Sequence, residues 1–128
     1  MINYNSIKWI ISMGVNSGYD LSDQVRMPIE DIIQRYRNVA QEVEEISGVY
    51  ISAVIFPSRT IYKEEWGCPA EGEYTYTLSG SCNPAFSDVE KYKQALLELV
   101  KKLRIEFRQS TLLLETVPAE VYYDREDA

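Results

Sequence analysis

Two stretches of this sequence carry apolar residues at helical spacing, and they constrain the fold more than any other feature. The first stretch, 29–47, follows Pro28, which suits the first turn of a helix, and ends before Gly48, which suits a left-handed cap. The second, 88–108, begins with the pattern of a capping box that starts at Ser87. The first stripe consists of Ile29, Ile32, Ile33, Tyr36, Val39, Ala40, Val43 and Ile46, and the second of Val89, Tyr92, Leu96, Leu99, Leu103 and Phe107. Two long amphipathic helices are therefore predicted.

Four other segments have the composition of β-strands, namely 7–15, 49–62, 73–79 and 111–116. Apolar or aromatic residues alternate with polar ones in the first and third, which is typical of a half-buried strand. Pro57 interrupts the second segment, so a bulge or an edge strand is expected there. The loop between the second and third segments contains glycine and proline, and it predicts a hairpin.

These elements occur in the order β-α-β-β-α-β, which predicts an α+β fold of the ferredoxin-like type. In this arrangement two helices cover one face of a four-stranded antiparallel sheet. Residues 1–123 are expected to form a single domain, with 120–123 extending the last strand beyond Pro118. Residues 124–128 are expected to form a charged C-terminal tail.

The predicted architecture leaves one face of the sheet without helices. The strand at 49–62 is nevertheless apolar or aromatic on both faces, and an exposed patch of this kind usually marks an interface. A homodimer or a higher homo-oligomer is therefore predicted. The two sets of residues are Tyr50, Val54 and Phe56 on one face and Val49, Ile51 and Ile55 on the other.

The charge and the cysteines of the chain exclude several classes of protein. A net charge of −7 and a pI near 4.6 argue against binding to a nucleic-acid polymer, which requires clustered Lys and Arg. The sequence has neither a signal peptide nor an apolar stretch long enough for a membrane helix. Cys68 and Cys82 do not form a Cys-x-x-Cys pattern, so no metal or cofactor is predicted. A cytoplasmic protein with reduced thiols is expected.

Histidine is absent from all 128 residues, and its absence limits the available chemistry. Ser–His and Cys–His nucleophiles are excluded, so a general base would have to be a carboxylate, lysine, tyrosine or cysteine. Glu65, Glu73 and Glu115 are the candidate carboxylates, but their spacing does not mark a catalytic pair. A small dimeric ferredoxin-like enzyme that uses Glu or Tyr chemistry remains an alternative.

The segment 59–69 and the strand tyrosines contain the residue types that anchor ligands. Tryptophan, tyrosine and arginine bury a large area at a low cost in entropy, and arginines near the second helix could meet a phosphate or carboxylate. The alternatives are that Trp66 plugs the end of the core and that the tyrosines cover a half-exposed sheet. The candidate ligand-binding residues are Arg59, Tyr62, Trp66, Tyr74, Tyr76, Arg104 and Arg108.

The segment 79–83 is a further candidate, because Ser79, Ser81 and Asn83 surround Gly80. Such a group could form a small anion-binding nest before the second helix. It lacks the glycine spacing of a phosphate-binding loop, and a plain turn between strand and helix is favoured.

These observations favour a small non-enzymatic binding protein that acts as a homo-oligomer and sequesters an anionic, nucleotide-like ligand. A protein-binding inhibitor or adaptor of the phage or mobile-element type, directed against host defence, is the first alternative. The second alternative is the small enzyme described above.

Overall fold

The computed structural model describes residues 1–14 and 27–126. The predicted Val15 at the end of the first strand, the loop that follows it and the last two residues of the tail lie outside these ranges. The elements are β1 (Ile2–Gly14), α1 (Ile29–Ser47), β2 (Val54–Thr60), a one-turn 3-10 helix (Glu64–Trp66), β3 (Glu73–Ser81), α2 (Val89–Glu106) and β4 (Leu114–Tyr123).

The four strands form one sheet in the order β2-β3-β1-β4, and each neighbouring pair is antiparallel. Buried side chains of β1, β3 and both helices form a single hydrophobic core, which lies on one face of the sheet. The ferredoxin-like α+β prediction is thus confirmed. We call the face of the sheet that carries the hydrophobic core the covered face, and the opposite side the open face.

The two helices form at the predicted positions. The first has the predicted bounds and ends at Gly48, whose φ of 77° is left-handed. The capping box predicted to start at Ser87 is wrong, because Asp88 is the N-cap and its side chain accepts a hydrogen bond from the Lys91 backbone amide at 3.1 Å. Both residues are good N-caps, and the structure places the helix start one residue later.

The strands differ from the sequence prediction mainly in length. The first begins at Ile2 because its N-terminal half pairs with β4, where Ile2 lies opposite Tyr123. The last strand continues through Pro118, and the second contains Pro57. Both prolines are tolerated because β2 and β4 are the edge strands of the sheet, as expected for Pro57.

Gly80 allows β3 to pack closely against the Trp9 side chain of β1 and against the backbone of Ser52. It lies within β3, so the nest considered for residues 79–83 is not formed. A Cβ atom at Gly80 would lie 2.7 Å from the Ser52 carbonyl oxygen and 2.8 Å from Trp9 Nε1. Only glycine leaves room for the Trp9 indole, which is 1% exposed in the core.

Cys68 and Cys82 are both free and buried. Neither described helix is long and apolar enough to cross a membrane.

Candidate active site

A row of hydroxyl groups crosses the open face of the sheet. Directly paired residues of antiparallel strands point to the same face, and the pairs Ser12–Thr77 and Ser58–Thr75 alternate with the core pairs. Ser12 Oγ lies 2.9 Å from Thr77 Oγ1, which donates to Ser58 Oγ at 2.9 Å. Ser58 Oγ lies 2.8 Å from Thr75 Oγ1, which also accepts from Thr60 Oγ1 at 3.1 Å. We call these five residues the hydroxyl row.

Glu73 lies at one end of the hydroxyl row, paired with Thr60 across β2 and β3. Burial raises the pKa of its carboxyl group. No residue in the described part of the chain forms a hydrogen bond with this carboxylate. A half-buried carboxylate without a hydrogen-bond donor is ready to bind a positively charged or N–H-bearing group.

Tyr62 follows β2 and lies close enough to Glu73 for the carboxylate charge to affect the pKa of its hydroxyl group. Burial raises the pKa of the Tyr62 hydroxyl, and the negative charges of Glu73 and then Cys68 raise it further. Tyr62 therefore stays protonated at neutral pH, with its hydroxyl able to donate a hydrogen bond. The loop that contains it is held by Cys68, whose Sγ accepts a hydrogen bond from the Tyr62 backbone amide at 3.5 Å.

Four of the residues predicted to bind ligand lie in or beside the β2–β3 connection. Arg59 stacks on the ring of Tyr74 at 4.7 Å and donates to the Glu71 carbonyl oxygen at 2.9 Å. This pair points to the opposite side of the sheet from Glu73, because neighbouring residues alternate in a strand. Trp66 is 74% exposed, so the alternative in which it plugs the core is wrong.

The remaining predicted residues are divided between the core and the end of α2. Tyr76 is 1% exposed, and its hydroxyl donates to the Met27 carbonyl oxygen at 2.5 Å. Arg104 is exposed on α2, where it donates to the Gln109 carbonyl oxygen at 3.4 Å, and Arg108 follows the helix. These arginines lie at the same end of the sheet as Glu73, because Gln109 also contacts the end of β1.

The three candidate carboxylates are separated by the fold. Glu65 is exposed and forms an ion pair with Lys63 at 3.3 Å, and Glu115 is exposed beside Ile10. Among the described residues, no group of three or more His, Cys, Asp or Glu could hold a metal ion.

A family model described as SAM lyase matches residues 4–124 of the chain. SAM is S-adenosylmethionine. This chain belongs to the SAM lyase family.

Two solved structures of phage SAM lyases resemble this member of the SAM lyase family. One, in the apo state, has a TM-score of 0.61 and 16% identity, with 94% of each chain covered. The other is a complex with S-methyl-5'-thioadenosine, with a TM-score of 0.54, 16% identity and 93% of each chain covered. At this identity the likeness supports the fold alone. No curated protein matches the sequence.

Membership of the SAM lyase family changes the balance between the functional hypotheses. The family is named for a reaction, so non-enzymatic sequestration is not supported. The phage-type alternative directed against host defence fits the family and its phage relatives better.

Proposed function

We propose that this protein is a SAM lyase that cleaves SAM and releases S-methyl-5'-thioadenosine. The observation that carries the proposal is the family match over residues 4–124. The complex of a phage SAM lyase with S-methyl-5'-thioadenosine supports the choice of product. The Glu73–Tyr62 region supplies a polar site at the end of the open face where the substrate would bind.

The reaction that we propose is an internal displacement within SAM. An oxygen of the substrate carboxylate attacks Cγ of the methionine part while the bond between Cγ and sulfur breaks. The electron pair of that bond goes to sulfur, which becomes the neutral thioether of S-methyl-5'-thioadenosine, and the remaining four carbons form homoserine lactone. No proton is transferred and no water enters, so the reaction suits a chain without histidine.

The protein would contribute mainly by orienting the substrate. SAM carries a sulfonium and an ammonium group, and the half-buried carboxylate of Glu73 would attract this positive charge. Binding would fix the amino-acid part of SAM in a curled conformation. Much of the entropy loss that the reaction requires would then occur during binding, and the activation free energy of the reaction would be lower. Tyr62 and Trp66 remain proposed contacts of this ligand, with the exposed Trp66 ring suited to stacking on adenine. Arg59 and Tyr74 point to the other side of the sheet, so they stay predictions for ligand binding outside the Glu73 site. The proposed substrate is cationic, which fits the net charge of −7 better than an anionic ligand does.

The test is an assay of purified protein with SAM, followed by chromatography and mass spectrometry. We expect loss of SAM to be matched by S-methyl-5'-thioadenosine and by homoserine lactone, which opens to homoserine in alkali. Elimination would instead give a vinyl product that resists alkali. Direct hydrolysis in ¹⁸O-labelled water would label the homoserine hydroxyl group. Absence of any SAM cleavage by folded protein would contradict the proposal.

A role against host defence follows from the same activity. Methyltransferases of host defence systems consume SAM, so a phage-type enzyme that destroys SAM would deprive them of their methyl donor. Expression of the protein in bacteria should lower cellular SAM and the methylation of chromosomal DNA. The Glu73→Gln variant, with its reduced activity, serves as the control and should have a smaller effect, and an equal effect of both proteins would favour a protein-binding inhibitor instead.

We also propose that copies of the chain associate through the open face. Apolar side chains lie beside the hydroxyl row, with Val54 63%, Phe56 44%, Ile10 41% and Val117 52% exposed. A patch of this kind would be covered in a homo-oligomer. Light scattering after size-exclusion chromatography should show a multiple of the 14.8 kDa chain, and Phe56→Glu should reduce it. A wild-type monomer would contradict this proposal.

A further inference from the structure

A groove lies between α1 and the free edge of the sheet, at the N-terminal end of β2. It has a volume of about 350 Å³, and most of its lining is apolar or aromatic, including Ile33, Tyr36 and Ile55. Among the described residues, Arg37 is the one charged side chain in this lining. Glu73 pairs with the other end of β2, so the groove is separate from the candidate active site.

The register of β2 leaves backbone groups pointing toward this groove. Pro57 lies opposite Tyr76 of β3 and has no N–H group, so this pair cannot exchange the two hydrogen bonds of an antiparallel ladder. Hydrogen-bonded pairs alternate along a strand. The backbone N–H and C=O groups of Ile55 therefore also point away from β3, toward the free edge.

The segment before β2 continues the same alternation. The Ile51 carbonyl oxygen accepts from the Tyr36 hydroxyl of α1 at 2.6 Å, and Ala53 lies midway between Ile51 and Ile55. In the described ranges 1–14 and 27–126, the backbone groups of Ala53 and the edge groups of Ile55 have no hydrogen-bond partner. An edge with unpaired N–H and C=O groups is a template for a further strand.

Arg37 has no acidic partner in the described part of this chain, although the net charge is −7. The residues three and four positions away on α1 are Ile33, Gln34, Ala40 and Gln41, so no carboxylate can pair with it from the neighbouring turns. By contrast, three lysines of α2 each form an ion pair with a glutamate. The guanidinium of Arg37 is thus available to a carboxylate from outside the chain.

We propose that this groove binds an extended segment of another protein, which adds a short strand to β2, inserts an apolar side chain and pairs a carboxylate with Arg37. An extended backbone can pair with the free groups of Ala53 and Ile55, whereas a helix has already paired its own. Side chains two residues apart in a strand share a face, so the apolar and acidic residues would have this spacing. Pro57 ends the ladder, which limits the added strand to about three or four residues.

The test is selection from a phage-displayed library of random linear heptapeptides, followed by fluorescence polarisation with synthetic copies of the selected peptides. These peptides should carry Asp or Glu two residues from an aliphatic or aromatic residue. Arg37→Gln should weaken their binding by about 10-fold or more, as expected for hydrogen bonds to a charged group. N-methylation of single peptide amides should abolish binding at alternate positions, because every second N–H would pair with the edge.

Arg35→Gln is the matched control, because Arg35 is the neighbouring arginine of α1 and lies over the Phe107 ring at 5.8 Å. It should keep the wild-type affinity for the peptides. Ala53→Pro removes one edge N–H and no bond of the β2–β3 ladder, so it should weaken binding while circular dichroism shows a folded chain. If Ala53→Pro unfolds the chain, Arg37→Gln and the methylated peptides decide. None of these variants should change a rate of SAM cleavage, so the docking site and the proposed function are tested separately.

The proposal is overturned if no peptide is selected, or if the selected peptides bind wild type and Arg37→Gln equally. Sensitivity to N-methylation without alternation, or displacement of the peptides by S-methyl-5'-thioadenosine, would place them at another site and also overturn it. Light scattering tests a second copy as the occupant. If Ala53→Pro converts a wild-type oligomer to a monomer, the edge binds another copy of this chain and the proposal is wrong.

Discussion

On the covered face of the sheet, buried side chains such as Trp9 and Tyr36 form isolated hydrogen bonds within the core, whereas on the open face hydroxyl groups are joined in a row with an ionisable carboxylate at one end. On the covered face the Trp9 indole donates to the Tyr92 hydroxyl at 2.7 Å, and the Tyr36 hydroxyl donates to the Ile51 carbonyl oxygen at 2.6 Å. Burial raises the pKa of Tyr92 to about 12, so it stays neutral. These polar groups serve the packing of the core.

On the open face, Glu73 differs from these hydrogen-bonded polar groups of the core. Its carboxylate is half-buried and has no hydrogen-bond partner among the described residues, although burial makes its charge unfavourable. A protein gains no stability from such a group, and unfavourable polar groups of this kind concentrate at functional sites. The contrast supports the proposal that the substrate binds on the open face, whereas the covered face carries the hydrophobic core.

Leu78→Ala should give the largest loss of stability. Leu78 is fully buried on the covered face of β3, so its truncation should lower the free energy of unfolding by about 2–5 kcal/mol. Denaturant titration measures the loss. The rate of SAM cleavage per folded molecule should stay unchanged, and a large fall in that rate would remove the distinction between the two faces.

Glu73→Gln should give the largest loss of function. Without its charge, kcat/KM for SAM should fall by about 10- to 100-fold, the value of a hydrogen bond between charged groups. Thermal unfolding should show a variant at least as stable as the wild type at pH 7. The reason is that the pKa of Glu73 is raised in the folded state, so its contribution to stability is present at low pH and is lost as pH rises through that pKa.

The pH dependence of the reaction should follow the same group. If ionised Glu73 holds the substrate, kcat/KM of the wild type should fall as pH decreases through the raised pKa of this carboxyl group. The Glu73→Gln variant should lack this acidic limb. A variant with full activity, or one that keeps the limb, would show that another group binds the substrate.

Thr77→Val should have a smaller effect than the change at the neighbouring Leu78. Thr77 is 6% exposed and joins Ser12 to Ser58 in the hydroxyl row. Valine keeps the shape but removes both hydrogen bonds, which should cost about 1 kcal/mol of unfolding free energy. In a double-mutant cycle, Thr77→Val and Ser58→Ala should be non-additive, because they remove the same bond. Additive losses would show that the row does not act as a connected unit.

The sequence alone predicted the elements more fully than the site. The first helix has the predicted bounds because its apolar period, Pro28 and Gly48 all specify the same segment. Tyr76 could also have been assigned to the core, since it alternates in phase with Leu78 on β3. The N-cap at Asp88 could not, because Ser87 is an equally good cap.

The residues that meet at the candidate site are determined by the pairing register of the strands, and local sequence patterns do not specify that register. Gln109 and Gly14 are 95 residues apart in sequence, and no motif marks either residue. Glu73 was one of three candidate carboxylates, and only the fold separates it from exposed Glu65 and Glu115. Glu73 comes close to Gly14 and Gln109 only when β1, β3 and the end of α2 are placed together.

Trp66→Ala should have the smallest effect on stability and tests whether the loop beside the open face takes part in binding. Trp66 is 74% exposed, and its ring centroid lies 6.0 Å from Lys63 Nζ, so its removal should change the unfolding free energy by about 0.5 kcal/mol or less. If the indole stacks on adenine, affinity for S-methyl-5'-thioadenosine should fall by about 3- to 10-fold, since an aromatic pair contributes roughly 0.5–1.5 kcal/mol. Trp66→Phe should restore most of this affinity.

Phe86, also exposed at 75%, provides the matched control, because Phe86→Ala removes an aromatic ring outside the β2–β3 loop. Equal affinities for all four proteins would confine binding to the Glu73 end of the open face.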